Sequence, residues 1–208
     1  MRGIKLKTPI DVVKHIVEIN ACVSHIAVSP YKARPHLHER KVKKDFVKEA
    51  LLHETRDYVD FLKRENVLHK EAIEKELLSL APDCRLSVHS YAVTSTAPRF
   101  LHIPLVDFKP PPSDKNLKAI REAMKAVGEK SGVILISGES YHYYGFELME
   151  PHNWLKFMSR LLLLNDPITK ETLVDSRWVA HRLIDGFGAL RISPKENGAQ
   201  NPYVVAEL

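Results

Sequence analysis

Apolar residues at positions 12, 13, 16, 17 and 19 follow Thr8-Pro9-Ile10-Asp11, and this spacing behind a cap-and-proline start predicts a first helix. Residues 22–31, CVSHIAVSPY, alternate imperfectly and predict a short strand ending at Pro30. From Glu39 to Leu80 the chain is densely charged. Phe46, Leu51, Val59, Leu62, Val67, Ile73 and Leu77 supply an apolar face, and pairs such as Glu71 and Lys75 supply a solvated one, so two helices broken near Glu65-Asn66 are expected.

The pattern changes after Asp83. RLSVHSYAV (85–93) and RFLHIPLVDF (99–108) read as strands joined by Thr94 to Pro98, and Pro110-Pro111-Pro112 ends the second. Ser113-Asp114 can cap a helix from Asn116 to Val127, with Leu117, Ile120, Met124 and Val127 as its stripe. GVILISG (132–138) and SYHYYGFELM (140–149) predict a hairpin turning through Gly138-Glu139. Pro151-His152-Asn153 opens a helix to Leu164, DSRWVAHRLID (175–185) a further one, and GALRIS (188–193) and PYVVAEL (202–208) are the last strands. The expected class is α/β or, more narrowly, α+β: a mixed sheet with flanking helices. A mainly helical region over 1–84 precedes an α/β core over 85–208, the two forming one compact unit.

Composition narrows the function classes. No apolar run approaches the roughly 20 residues that cross a bilayer, and the charged N-terminal stretch does not read as a signal peptide. Two widely separated cysteines fit free thiols, and the expected location is cytoplasmic, with no membrane partner. A net charge of +5 favours polyanions, nucleic acid or nucleotides among them. Of the eleven histidines, His36 and His38 in PHLHER lie close together, as an exposed loop or a weak zinc pattern. RKVKK (40–44) reads as a solvated helix start or a phosphate-backbone contact.

Polar residues interrupt three core-like segments. Asp107 ends the apolar strand LHIPLVDF, Ser140 and His142 begin SYHYYG, and Asp175 follows Leu173-Val174, with Arg191 inside the later ALRIS. Carboxylates at strand ends can hold the two divalent ions of nucleotidyl transfer, while histidine and arginine suit phosphate. Taken singly, Asp107 reads as a turn residue, His142 as a buried histidine, Asp175 as a helix N-cap and Arg191 as a surface arginine or a partner of Asp185.

In order and spacing these motifs resemble the archaeo-eukaryotic primase-polymerase superfamily over about residues 85–193. Ser140-Tyr141-His142 matches its S-x-H motif, Val174-Asp175 its apolar-Asp motif, and Asp107 the first acid of its D-x-D or D-x-E pair. The resemblance implies a primase-polymerase (RRM-like) core, Asp107 and Asp175 as ligands of Mg²⁺ or Mn²⁺, and Ser140, His142 and Arg191 on nucleotide phosphates. His142 would share in catalysis with the two aspartates. The second acid is replaced: the sequence reads Asp107-Phe108-Lys109, a one-aspartate (primase 1D-like) variant.

Two consequences stand open. Lys109 takes the place of a metal's charge beside phosphate and polymerase activity is reduced or lost, or Glu139 or Asp185 supplies the missing ligand. The corresponding functions are a module that binds nucleotide or nucleic acid, and an active DNA primase/polymerase serving DNA replication; a purely structural domain is the third. Further protein subunits of a larger system are expected partners.

Overall fold

The computed structural model describes residues 6–32, 59–69, 71–81, 83–194 and 200–208. Helix α1 (Pro9–Ile19) starts as its sequence dictates: Thr8 Oγ1 accepts from the Asp11 amide at 3.2 Å, and Asp11 Oδ2 accepts from the Thr8 amide at 3.0 Å. Its buried face is Val12, Val13, Ile16 and Val17, each such side chain stabilising the fold by about 1.5–3 kcal/mol before entropy is counted. Asn20 closes the helix by donating to the carbonyls of Ile16 and Phe146.

Strand β1 (Val23–Lys32) pairs antiparallel with β3 (Cys84–Thr94) along almost its whole length, and with β2 (Asp60–Lys63) through His25 to Val28. Pro30 does not end β1. It lies beyond the stretch that β2 covers, where its missing N–H costs no bond to that neighbour. Residues 60–63, expected within a helix, are a strand: Leu62 enters the core while Phe61 and Lys63 point outward, the two-residue alternation of a sheet edge. The helical pattern resumes as α2 (Arg64–His69) and α3 (Glu71–Ser79), so the expected break near Glu65-Asn66 falls later. Arg64 anchors this turn by donating to the carbonyls of Asn20 and Val23. Strands from both sides of residue 84 therefore share one sheet.

The other edge of β3 is shared end to end by β4 (Phe100–His102) and β8 (Ala189–Arg191). The single strand expected over 99–108 is broken. Proline has no amide to continue a ladder, and at Ile103-Pro104 the chain leaves the first sheet for the second, Ile103 donating to Ser90 and Pro104 accepting from Gly145. The second sheet runs β5 (Leu105–Asp107), β7 (Tyr141–Gly145), β6 (Gly132–Ile136), β9 (Tyr203–Glu207). The α+β class holds, its strands divided between two sheets in which every described pairing is antiparallel.

Alternation along β5, β6 and β7 builds two cores. Leu105, Val133, Leu135 and Tyr144 join α1 and the apolar face of the first sheet. Val106, Ile134, Tyr141 and Tyr143 pack on the other side against α4 (Asp114–Val127), α5 (Pro151–Leu162) and α6 (Ser176–Asp185). Ser113 caps α4 as expected, accepting from the Asn116 amide. Gly132 and Gly145 face each other at the end of the β6–β7 pair, where a Cβ on Gly145 would fall 2.5 Å from Glu129 and 2.7 Å from Pro104. Among the described residues no helix is long and apolar enough to cross a membrane, and Cys22 and Cys84 are free thiols.

Candidate functional site

Three of the sequence motifs converge at one end of the second sheet. Antiparallel pairing of β5 with β7 sets Asp107 directly opposite His142, with Leu105 opposite Tyr144. Directly paired residues share a face, so Asp107, His142 and Tyr144 lie together. Oδ1 of Asp107 is 3.6 Å from Nε2 of His142. The His142 side chain is 7% exposed, whereas the Asp107 side chain keeps 29% of its surface in water.

That distance would make an ion pair only with a protonated ring. Burial, joined by the positive charge of Arg191, pulls the His142 pKa down to about 3, so the ring is neutral at ordinary pH. Among the described residues its buried Nδ1 has no hydrogen-bond partner, and neither has the hydroxyl of fully buried Tyr144. An unmet buried polar group costs about 1–3 kcal/mol, which a ligand oxygen or proton could return.

Arg191 comes from the first sheet, on β8, opposite Ser87 of β3. Its guanidinium donates to the carbonyls of Ser137 and Ser193, tying β8 to the turn after β6. Burial lowers its pKa, while Tyr31, Tyr144 and Asp107 act to restore it and Arg85 opposes them. Burial likewise raises the Tyr144 pKa, and the Asp107 charge adds to the rise. Asp107, His142, Tyr144, Arg191, Tyr31 and Arg85 thus form one electrostatically coupled group drawn from both sheets.

The remaining predicted residues are placed as follows. Asp175 is a backbone neighbour of Asp107, its amide donating to the Asp107 carbonyl at 3.3 Å, while Val174 bridges Phe108. Its carboxylate caps α6: Oδ1 accepts from the amides of Arg177 and Trp178 at 2.9 and 3.2 Å. Ser140 closes the β6–β7 turn, its carbonyl accepting from the Ser137 amide and its Oγ lying 3.2 Å from that of Ser137. The turn needs Gly138, whose φ is 122°. Lys109 is exposed, and its amide donates to Leu173. Glu139 is exposed at the turn. Asp185 contacts buried Arg182 at 3.5 Å, at the far end of α6, and at 1.5 Å per residue it stands about 15 Å from Asp175. His36, His38 and the 40–44 basic run lie outside the described residues.

Tyr31, Arg85 and Tyr144 were not singled out by sequence. Tyr144 was accessible in principle, two residues beyond His142 on the same face of a strand. Tyr31 and Arg85 join only through the pairing of β1 with β3.

The donor set does not suit a two-metal centre. Among the described residues no three His, Cys, Asp or Glu stand together as a metal cage. Asp175 already spends an oxygen on two backbone amides, and the Arg191 guanidinium brings a positive charge within electrostatic reach of Asp107, which opposes a dication there.

The family model described as archaeo-eukaryotic primase 1D-like matches residues 64–203, two thirds of the chain and every residue of the S-x-H and apolar-Asp motifs. No curated protein and no solved structure matches. On that match the chain belongs to the AEP-like, archaeo-eukaryotic primase 1D-like family of the primase-polymerase superfamily.

Proposed function

We propose that this chain binds nucleotide phosphates, free or at the end of a nucleic-acid strand, at the group centred on Arg191 and His142, with phosphoryl transfer reduced or absent. One observation carries the reading: two buried polar groups with no hydrogen-bond partner among the described residues, His142 Nδ1 and Tyr144 Oη, stand within electrostatic reach of the half-buried Arg191. Phosphate oxygens accept from guanidinium, imidazole N–H and phenol alike, and a half-buried arginine meets them at a dielectric below that of water, where charge-assisted bonds are strengthened. A neutral His142 can offer one N–H without needing to gain a proton first. Lys109, exposed just past Asp107, adds positive charge where the family pattern has an acid.

The alternative is Mn²⁺- or Mg²⁺-dependent nucleotidyl transfer. The backbone bond that sets Asp175 next to Asp107 favours it. A thermal-shift titration with ATP and dATP, run in Mn²⁺ and in EDTA, separates the two. Binding at about 100 times Kd adds roughly 2.7 kcal/mol to stability. A shift that persists in EDTA and disappears in Arg191→Ala supports the binding module. A shift that needs Mn²⁺ and disappears in Asp107→Ala supports the enzyme, and no shift with any nucleotide refutes both.

A further inference from the structure

Four of the ten exposed large apolar side chains among the described residues, Leu155, Leu162, Leu163 and Ile168, fall on α5 and the loop that follows it. The helix already has a buried stripe, Trp154, Phe157, Met158 and Leu161, which packs in the second core, so folding asks for no other. It carries a second one all the same. At about 100° per residue, Leu155, Leu162 and Leu163 span roughly 100° of arc on the solvent side. Ser159 lies between them with its hydroxyl turned back onto the Leu155 carbonyl at 2.9 Å, leaving a shallow gap in the stripe. Single exposed apolar residues are ordinary, but a contiguous exposed stripe marks an interaction surface.

Ile168 is 87% exposed in a loop whose own hydrogen bonds hold it. Asn165 Oδ1 accepts from the amides of Leu173 and Val174, and its Nδ2 donates to the Val174 carbonyl, closing the base of the loop. Inside it, the Asp166 carboxylate accepts from the Ile168 amide and the Thr169 hydroxyl. A bulky apolar side chain on an ordered loop loses little entropy on contact, because the backbone is already in place.

Charge beside the stripe has one sign. Lys156 and Arg160 follow Leu163 round the helix, and α5 contains no Asp or Glu. Arg160 donates to the Val127 carbonyl at the end of α4, where exposed Arg121 and Lys125 carry the positive charge on; the acid there, Glu122, lies 4.0 Å from Lys118. Leucines offer bases no ring to stack on, which argues against nucleic acid. A second copy laid on the same stripe would set Lys156 and Arg160 against themselves. An anionic bilayer would press on Asp166 and Glu171 in the Ile168 loop, and the stripe has no tryptophan or tyrosine to sit among headgroups. What fits is an amphipathic protein helix with acids along one border of its apolar face.

We propose that the outer stripe of α5, together with Ile168, docks an acidic amphipathic helix of a partner protein. The probe is a labelled, stapled helical peptide with Leu at every a and d position and Glu beside them, titrated against the full chain by fluorescence anisotropy. Two controls accompany it: the same peptide with Lys in place of Glu, and the same residues in shuffled order. The acidic peptide should bind, and both controls should bind at least about tenfold more weakly. Leu163→Ser and Ile168→Ser should each weaken the acidic peptide about fivefold or more. Lys156→Glu should weaken the acidic peptide and strengthen the Lys peptide, a reversal that a folding defect does not produce. Leu163 is 83% exposed, so its substitution should leave the melting temperature unchanged. Failure of the acidic peptide to bind, equal binding of the shuffled peptide, or unchanged affinity in folded Leu163→Ser and Ile168→Ser would overturn the proposal. So would a dimer, seen by sedimentation, that Leu163→Ser dissociates, since the stripe would then belong to a second copy. Capture by phosphatidylserine vesicles with the peptide left unbound would assign it to a membrane instead.

Discussion

Asp107 and His142 face each other across the β5–β7 pairing with Oδ1 and Nε2 3.6 Å apart, yet the imidazole stays neutral because burial and Arg191 outweigh the carboxylate. A neutral, nearly inaccessible histidine behaves as a fixed hydrogen-bonding group. Nucleotide affinity should therefore vary little between pH 5 and 8 on account of His142. Isothermal titration at several pH values tests this; a tenfold loss centred near pH 6.5 would mean that the ring titrates in the folded protein.

Arg191 bonds two carbonyls while lying among Asp107, Tyr144 and Tyr31. Lysine has no planar fork to repeat that geometry. Arg191→Lys should thus lose most of the nucleotide affinity that Arg191→Ala loses, at least tenfold, and the same titration reads it. Full affinity in Arg191→Lys would reduce the site to a point charge.

Asp175 combines two possible roles that substitution can separate. As the cap of α6 it should tolerate Asp175→Ser, and Asp175→Ala should cost about 1 kcal/mol by urea denaturation. If Asp175→Ser is as stable as the parent but loses a Mn²⁺-dependent activity that the parent has, the carboxylate is a ligand and the enzyme reading gains.

Stability should peak near pH 6.5 to 7. His142 and His102 have folded pKa values of about 3 and 4 against 6.5 when unfolded, both lowered first by burial. Their contribution is present above 6.5 and is lost as pH falls. Glu129, pushed up to about 7 from 4.5 by burial against the hydrogen bond from Tyr143, acts oppositely: its contribution is present below 4.5 and lost by about 7. Between 4.5 and 6.5 two groups outweigh one, a net gain of about 1.4 kcal/mol per pH unit from these three. Glu129→Gln, which keeps an acceptor for Tyr143, should be relatively more stable than the parent at pH 8 than at pH 4.5. Melting temperatures across pH check both statements.

Gly145→Ala should destabilise by about 1–3 kcal/mol, since its methyl would meet the Glu129 carboxylate and the Pro104 ring in a filled space. Gly138→Ala meets no atom, and its cost comes from the positive φ alone. Denaturant midpoints of the two variants distinguish crowding from backbone strain.

Local chemistry was legible in the sequence. The caps at Thr8 and Ser113, the β6–β7 hairpin about Gly138-Glu139 and the position of Asp107 at a strand end all follow from residues that act on neighbours a few positions away. So did the order of motifs that marks the family. Tertiary structure alone decided the rest. A period of two says which side of a strand meets the core, but nothing in it names the partner strand, because pairing joins segments far apart in sequence. For that reason Asp60–Lys63 became an edge strand, Pro104 became the crossing between sheets, and Arg191 met Asp107 and His142 from another sheet. The same non-local pairing placed Phe61, Tyr91 and Phe100 on one face of the first sheet, an arrangement visible only once four strands were laid in register.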